Sequence, residues 1–146
     1  MNIQKILVPV DGSNTSWKAL ETAESLAQKY GGKLTVITVM IPYGVGNLLQ
    51  MSLDQTLIDQ NNAVMKKAGY ATLDMAKEKL QGYQGDVEYL EEIGNPAERI
   101  LEVCTSKGCD TIVIGSRGLS GVEEFLLGSV SSKVSQYAKV PVVVVK

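Results

Sequence analysis

The residues best placed to do chemistry lie late in the chain, in Gly115–Lys133, which reads GSRGLSGVEEFLLGSVSSK. Glycines at 115, 118, 121 and 128 let backbone come close to a ligand, and Ser129, Ser131 and Ser132 offer hydroxyl donors. Gly128 and Ser129 stand where a last helix should begin. Backbone N–H groups there lack intrahelical carbonyls and meet the positive end of the helix dipole. That is the chemistry of anion binding, phosphate in particular. The alternative is that Ser129 merely caps the helix. A second polar turn, Asp11-Gly12-Ser13, offers a carboxylate that accepts from hydroxyl or amine donors, or else closes an Asx turn. Arg117 is the cation of the glycine-rich loop and suits a phosphate contact or solvent.

Other chemistries are poorly supplied. There is no histidine, which removes the commonest general base and the Ser-His-Asp type of nucleophilic catalysis. Cys104 and Cys109 are the only cysteines, too few soft ligands for zinc, and they read as reduced thiols packed in the core. Glu123 and Glu124 read as the solvated side of a helical turn whose Phe125, Leu126 and Leu127 pack. A Walker phosphate loop is absent, because six residues separate Gly121 from Gly128 and no lysine follows. Gly44-Val45-Gly46 opens a dinucleotide fingerprint whose third glycine would fall at Leu49, so that motif fails as well.

The elements that must position these residues follow from periodicity. Aliphatic runs at Lys5–Val10, Lys33–Ile41, Asp86–Ile93, Asp110–Gly115 and Pro141–Val145 read as strands. Helical spacing runs from Asn14 or Thr15 to the Gly31-Gly32 stop, from about Leu53 to Leu80, from Asn95-Pro96 onward, and from Ser129 to Ala138. In the long second helix Leu57, Val64, Ala68, Ala71 and Met75 share one face, the expected core side. Charges in DVEYLEEI mark the third strand as an edge. Strands alternating with helices predict an α/β fold, an open parallel sheet with helices on both faces. Ligands then sit beyond the carboxyl ends of the strands, where Asp11 and Gly115 lie.

With 146 residues, 45% of them apolar and 21% charged, the chain is expected to be one domain, residues 1–146, in the cytoplasm. A net charge of −2 gives no footprint for nucleic acid, and no stretch is apolar enough to span a membrane.

Gly115-x-x-Gly118, nine residues, then Gly128-Ser129 resembles the nucleotide-binding motif of the universal stress protein family. KILVPVDGS, GNPAERI, IVIGSRGLSG, LGSVSSKV and a closing PVVVVK extend the resemblance over the whole chain. It implies a five-stranded sheet of order 3-2-1-4-5, of Rossmann-like, adenine nucleotide alpha hydrolase-like type. It also implies a stress-response regulator binding ATP, ADP or AMP, with or without Mg2+. By the same resemblance Asp11, with the backbone of Pro9 and Val10, faces the adenine or ribose, and Val39 lies beside the base. Ile114, Gly115, Arg117 and Gly118 line the ribose and first phosphate, and Gly128, Ser129, Val130 and Ser131 hold the phosphate chain. Relatives often carry histidine where Thr38 stands, which puts that wall of the pocket in question.

The family is frequently dimeric. A last strand at the sheet edge, with Val142, Val143, Val144 and Val145 free of charge, is a natural homodimer surface. Two other functions stay open at this level. One is a slow ATPase or a protein that phosphorylates itself on a serine of GSVSS. It lacks evident carboxylates for magnesium, because Asp11 is committed to the nucleoside end. The other is a flavodoxin-like FMN binder, which lacks aromatic residues to sandwich a flavin.

Overall fold

The computed structural model describes residues 3–42, 54–117 and 128–146. Five parallel strands, β1 (Lys5–Pro9), β2 (Lys33–Met40), β3 (Val87–Ile93), β4 (Thr111–Gly115) and β5 (Val142–Val145), form one sheet of order β3-β2-β1-β4-β5. Four helices connect them: α1 (Asn14–Tyr30), α2 (Gln55–Lys79), α3 (Pro96–Ser106) and α4 (Ser129–Tyr137). The expected order and layering are what the chain adopts, with strand ends moved by a residue at most.

Buried strands explain the aliphatic runs. Ile6, Leu7, Val8, Leu34, Val36, Ile37, Ile112 and Val113 have no solvent exposure. Alternation divides them between two cores. Ile6, Val8, Val36 and Val113 meet Ala19, Leu20 and Ala23 of α1 and Leu73 and Ala76 of α2. Leu7, Ile37, Ile112 and Ile114 meet Ile100 and Cys104 of α3 and Val134 of α4. At the outer edge, β5 exposes Val143 to 37%, while Val142 and Val144 pack toward α3 and α4.

Helix ends follow local chemistry. Ser13 caps α1 by accepting from Ser16 N, and left-handed Gly31 closes it. Asn95 caps α3 by accepting from Glu98 N, with Pro96 in the first turn. The other end of α3 turns through Gly108 at φ 64°, with Cys109 N donating to Cys104 O at 2.9 Å and Gly108 N to Thr105 O at 3.1 Å. That Schellman turn brings the two cysteines together as free, buried thiols. Burial pushes the Cys109 thiol up from 9.0 to about 11. Thiolate is the reactive form, so native protein at pH 7 should alkylate with iodoacetamide at least about 100-fold more slowly than an exposed cysteine. Labelling as fast as in urea would contradict this packing.

The expected core face of α2 is corrected. Leu57, Val64 and Met75 are exposed to 46%, 67% and 47%, and Ala68 and Ala71 are exposed too. The residues that reach the core are Leu73, Ala76 and, just past the helix, Leu80. Apolar residues lie all around this helix, so periodicity alone selected the wrong stripe. No residue from Gln55 to Thr72 is buried. A side chain at Gly69 would meet Glu91, near the end of β3. The residues of α2 before that contact extend about 20 Å at 1.5 Å per residue, overrunning the strand. Among the described residues no helix is long and apolar enough to cross a membrane.

Candidate functional site

Beyond the carboxyl ends of β1, β2 and β4 the chain leaves a cavity of about 400 Å3, within the size range of small-molecule pockets. Its walls hold Pro9, Val10, Asp11, Val39, Ile114, Gly115, Arg117, Gly128, Ser129, Val130 and Ser131. Of the residues expected at the site, all but Gly118 and Ser132 therefore line one cavity, and Ser132 is exposed on α4 away from its walls. Gly118, Glu123, Glu124, Phe125, Leu126 and Leu127 lie outside the described residues, as does Gly44-Val45-Gly46.

The remaining walls are not among the residues named for the site. Ile37 and Ile41 extend the face begun by Val39, Pro96 and Ile100 come from the start of α3, and Ser16 comes from α1. Together with Ile114 and Val130 they make an apolar slot. Alternation along β2 decides which of its residues belong: Ile37, Val39 and Ile41 face the slot, so Thr38 points to the opposite side. Thr38 is buried at 6% exposure, paired in register with Glu91 under α2. The departure at Thr38 therefore leaves the cavity wall untouched.

Three helices begin at this edge, and their N-termini differ. In α1, Ser13 fills the cap, and Asp11 Oδ1 accepts from Ser13 N at 2.9 Å across Gly12, whose φ is 89°. The Asx turn thus occupies one Asp11 oxygen and leaves the exposed carboxylate its second. In α3, Asn95 fills the cap. In α4 the cap is Gly128, and no side chain caps the helix. The first intrahelical bond there is Ser132 N to Gly128 O at 2.9 Å, so the N–H groups of Ser129, Val130 and Ser131 precede it. Ser129 is therefore the first helical residue and not the cap.

Close packing sets α4 at this angle. Gly128 N donates to Ser116 O at 2.6 Å, and the Ser131 hydroxyl donates to the same carbonyl at 2.8 Å. This corrects one expectation: the buried Ser131 hydroxyl ties α4 to β4, which leaves its backbone N–H as the donor. A side chain at Gly128 would meet Arg117 Cα and Ser116 O at 3.3 Å. At Gly115 it would meet Thr15 C at 2.8 Å and Ser16 N at 2.9 Å. These two glycines let α1 and α4 close on the exit of β4. Thr15 Oγ1 donates to the Arg117 carbonyl, which fixes the backbone of this lining residue.

The arrangement suits a flat apolar group joined to an anion. The slot would take the group, the α4 terminus and Arg117 the anion, and the second Asp11 oxygen a hydroxyl between them. Asp11 is the only carboxylate among the lining residues, and no three metal-ligating side chains cluster among the described residues.

A model of the universal stress protein family matches residues 2–146. The chain is 38% identical to universal stress protein YxiE of Bacillus subtilis, covering 97% of this chain and 98% of that one. A solved universal stress protein in complex with cAMP superposes with a TM-score of 0.71 at 25% identity, over 100% of this chain and 98% of the other. One from Archaeoglobus fulgidus in complex with dAMP gives 0.68 at 22% identity, over 100% of both chains.

Proposed function

For a chain that belongs to the universal stress protein family, we propose that it binds an adenine nucleotide, ATP, ADP or AMP, and acts as a nucleotide-responsive regulator in the stress response. The observation that carries this reading is the uncapped N-terminus of α4 at one end of an apolar slot. The slot of Ile37, Val39, Pro96, Ile100 and Ile114 takes the base, Asp11 takes a ribose hydroxyl, and Ser129–Ser131 with Arg117 take phosphate. The complexes of relatives with cAMP and dAMP support the same ligand class. Were Mg2+ to accompany the nucleotide, Asp11 is the described lining residue whose carboxylate could help hold it.

The regulator is cytoplasmic, where free buried thiols are stable. It is a homodimer through β5, whose outer edge carries Val143.

The test is to denature protein purified without added nucleotide and chromatograph what it releases, then titrate the stripped protein with ATP, ADP and AMP. Adenine nucleotide in the released fraction, or micromolar binding, supports the reading, and the absence of both would sink it. Incubation with ATP separates regulator from enzyme. Among the described residues Asp11 is the only carboxylate lining the cavity, and the sequence has no histidine, so turnover should stay far below one per second.

A further inference from the structure

The face of the sheet opposite the cavity carries an unusual carboxylate. Alternation along β3 sends Val87, Tyr89 and Glu91 toward α2, and Glu88, Leu90 and Glu92 toward α3. Glu88 meets Lys107 at 2.7 Å and Glu92 meets Arg99 at 2.9 Å, so both outward carboxylates are paired. Glu91 is not. Its Oε2 is shut off from solvent and accepts no hydrogen bond among the described residues.

Space for that oxygen comes from Gly69 in the interior of α2. A β-carbon at position 69 would lie 2.8 Å from Glu91 Oε2, closer than such atoms pack. Glycine is a poor helix former, and here it admits the carboxyl group. The charged group facing Glu91 from α2 is Lys66, one turn earlier. From β2 the register partner is Thr38, which does not titrate. On β3 the same-face neighbour is Tyr89, kept neutral by burial, with Lys77 over its ring at 5.2 Å.

We propose that Glu91 is a proton-binding site that sets how firmly α2 seats on β3: the neutral acid holds the helix down and the carboxylate loosens it. A buried, unpartnered oxygen is tolerated when neutral and costly when charged. A protonated carboxyl also gains a donor. Burial pushes Glu91 above its ordinary value of 4.5, and Lys66 opposes the rise. The folded protein therefore holds this proton more tightly than the unfolded chain. Its contribution is complete below about pH 4.5 and is lost as pH rises through the folded value. Because α2 overruns β3, a looser seat frees the whole length of helix beyond Gly69.

Thermal melts and hydrogen exchange of the full chain between pH 4 and 8 test this, comparing wild type with Glu91→Gln. The glutamine variant should melt about 2–4 °C higher at pH 7 and equal wild type at pH 4. Its α2 amides should exchange more slowly than those of wild type at pH 8, after correction for intrinsic rates. A variant that melts lower at pH 7, or keeps the wild-type dependence on pH, overturns the proposal. Gly69→Ala supplies an independent reading. It should lower the melting temperature in wild type and raise it in a Glu91→Ala background. An equal rise in both means that the contact does not govern the seat, and the proposal falls.

Discussion

Gly128→Val is expected to weaken adenine nucleotide binding by at least about 100-fold, the largest single effect we anticipate. Charge-assisted hydrogen bonds contribute about 1.5–3 kcal/mol each, and displacing the N–H groups of Ser129–Ser131 loses more than one. The displacement follows from contact. A β-carbon at 128 already sits 3.3 Å from Arg117 Cα and Ser116 O, and branching adds two more atoms. The start of α4 must move away from β4, which also endangers the fold, so a gentler substitution is needed beside it. Ser129 is exposed and opens the helix. Ser129→Asp places a negative charge where it stabilises the helix by about 0.3–1 kcal/mol and repels phosphate from the same N–H groups. It should melt no lower than wild type and bind nucleotide at least about 10-fold more weakly, the effect of ~1.4 kcal/mol. Calorimetric titrations matching wild type for both variants would remove the phosphate from this terminus.

The second large effect concerns association. Val143→Lys should convert a dimer into a monomer that still unfolds cooperatively, with a melting temperature that no longer depends on protein concentration. In a two-fold contact along β5 the substitution places a lysine on each of the two paired strands, where charge on an edge opposes pairing. Position matters here. Val143 is 37% exposed, whereas Val144 packs with Ile114 and α4, so a lysine at 144 would test folding and not association. Sedimentation at tens of micromolar reads the outcome, and a wild-type monomer at high micromolar concentration would overturn the interface.

Much of the architecture was legible because burial writes itself into β-branched runs: ITV and IVI could be little else but central strands. Strand order was not. Nothing in a run of valines states its neighbour, and the order came from the resemblance of the glycine motif. The site was half legible. Asp11, Gly115 and Gly128 follow strands or precede a helix, so their position can be reasoned. Pro96 and Ile100 could not be placed that way, because an apolar residue facing a cavity has the same spacing as one facing the core. Thr38 could have been. Once Val39 is given to the pocket, alternation turns its neighbour away. The face of α2 was misread for a different reason: its apolar residues are spread around the helix, and only those below Gly69 have a sheet beneath them.

The bond from Gly128 N to Ser116 O has a consequence for engineering. The chain leaves β4 and returns to α4 at two points in hydrogen-bond contact, and Ser131 and Thr15 brace the junction from within the fold. Whatever connects residues 117 and 128 has its ends joined already, and doubling the length of such a connection costs only about 0.6 kcal/mol. The two ends are therefore a graft point. Residues 117 and 128 both line the cavity, so a fluorescent or split-reporter domain joined to them would have both its attachments at the cavity wall and would turn the chain into a sensor of what enters it.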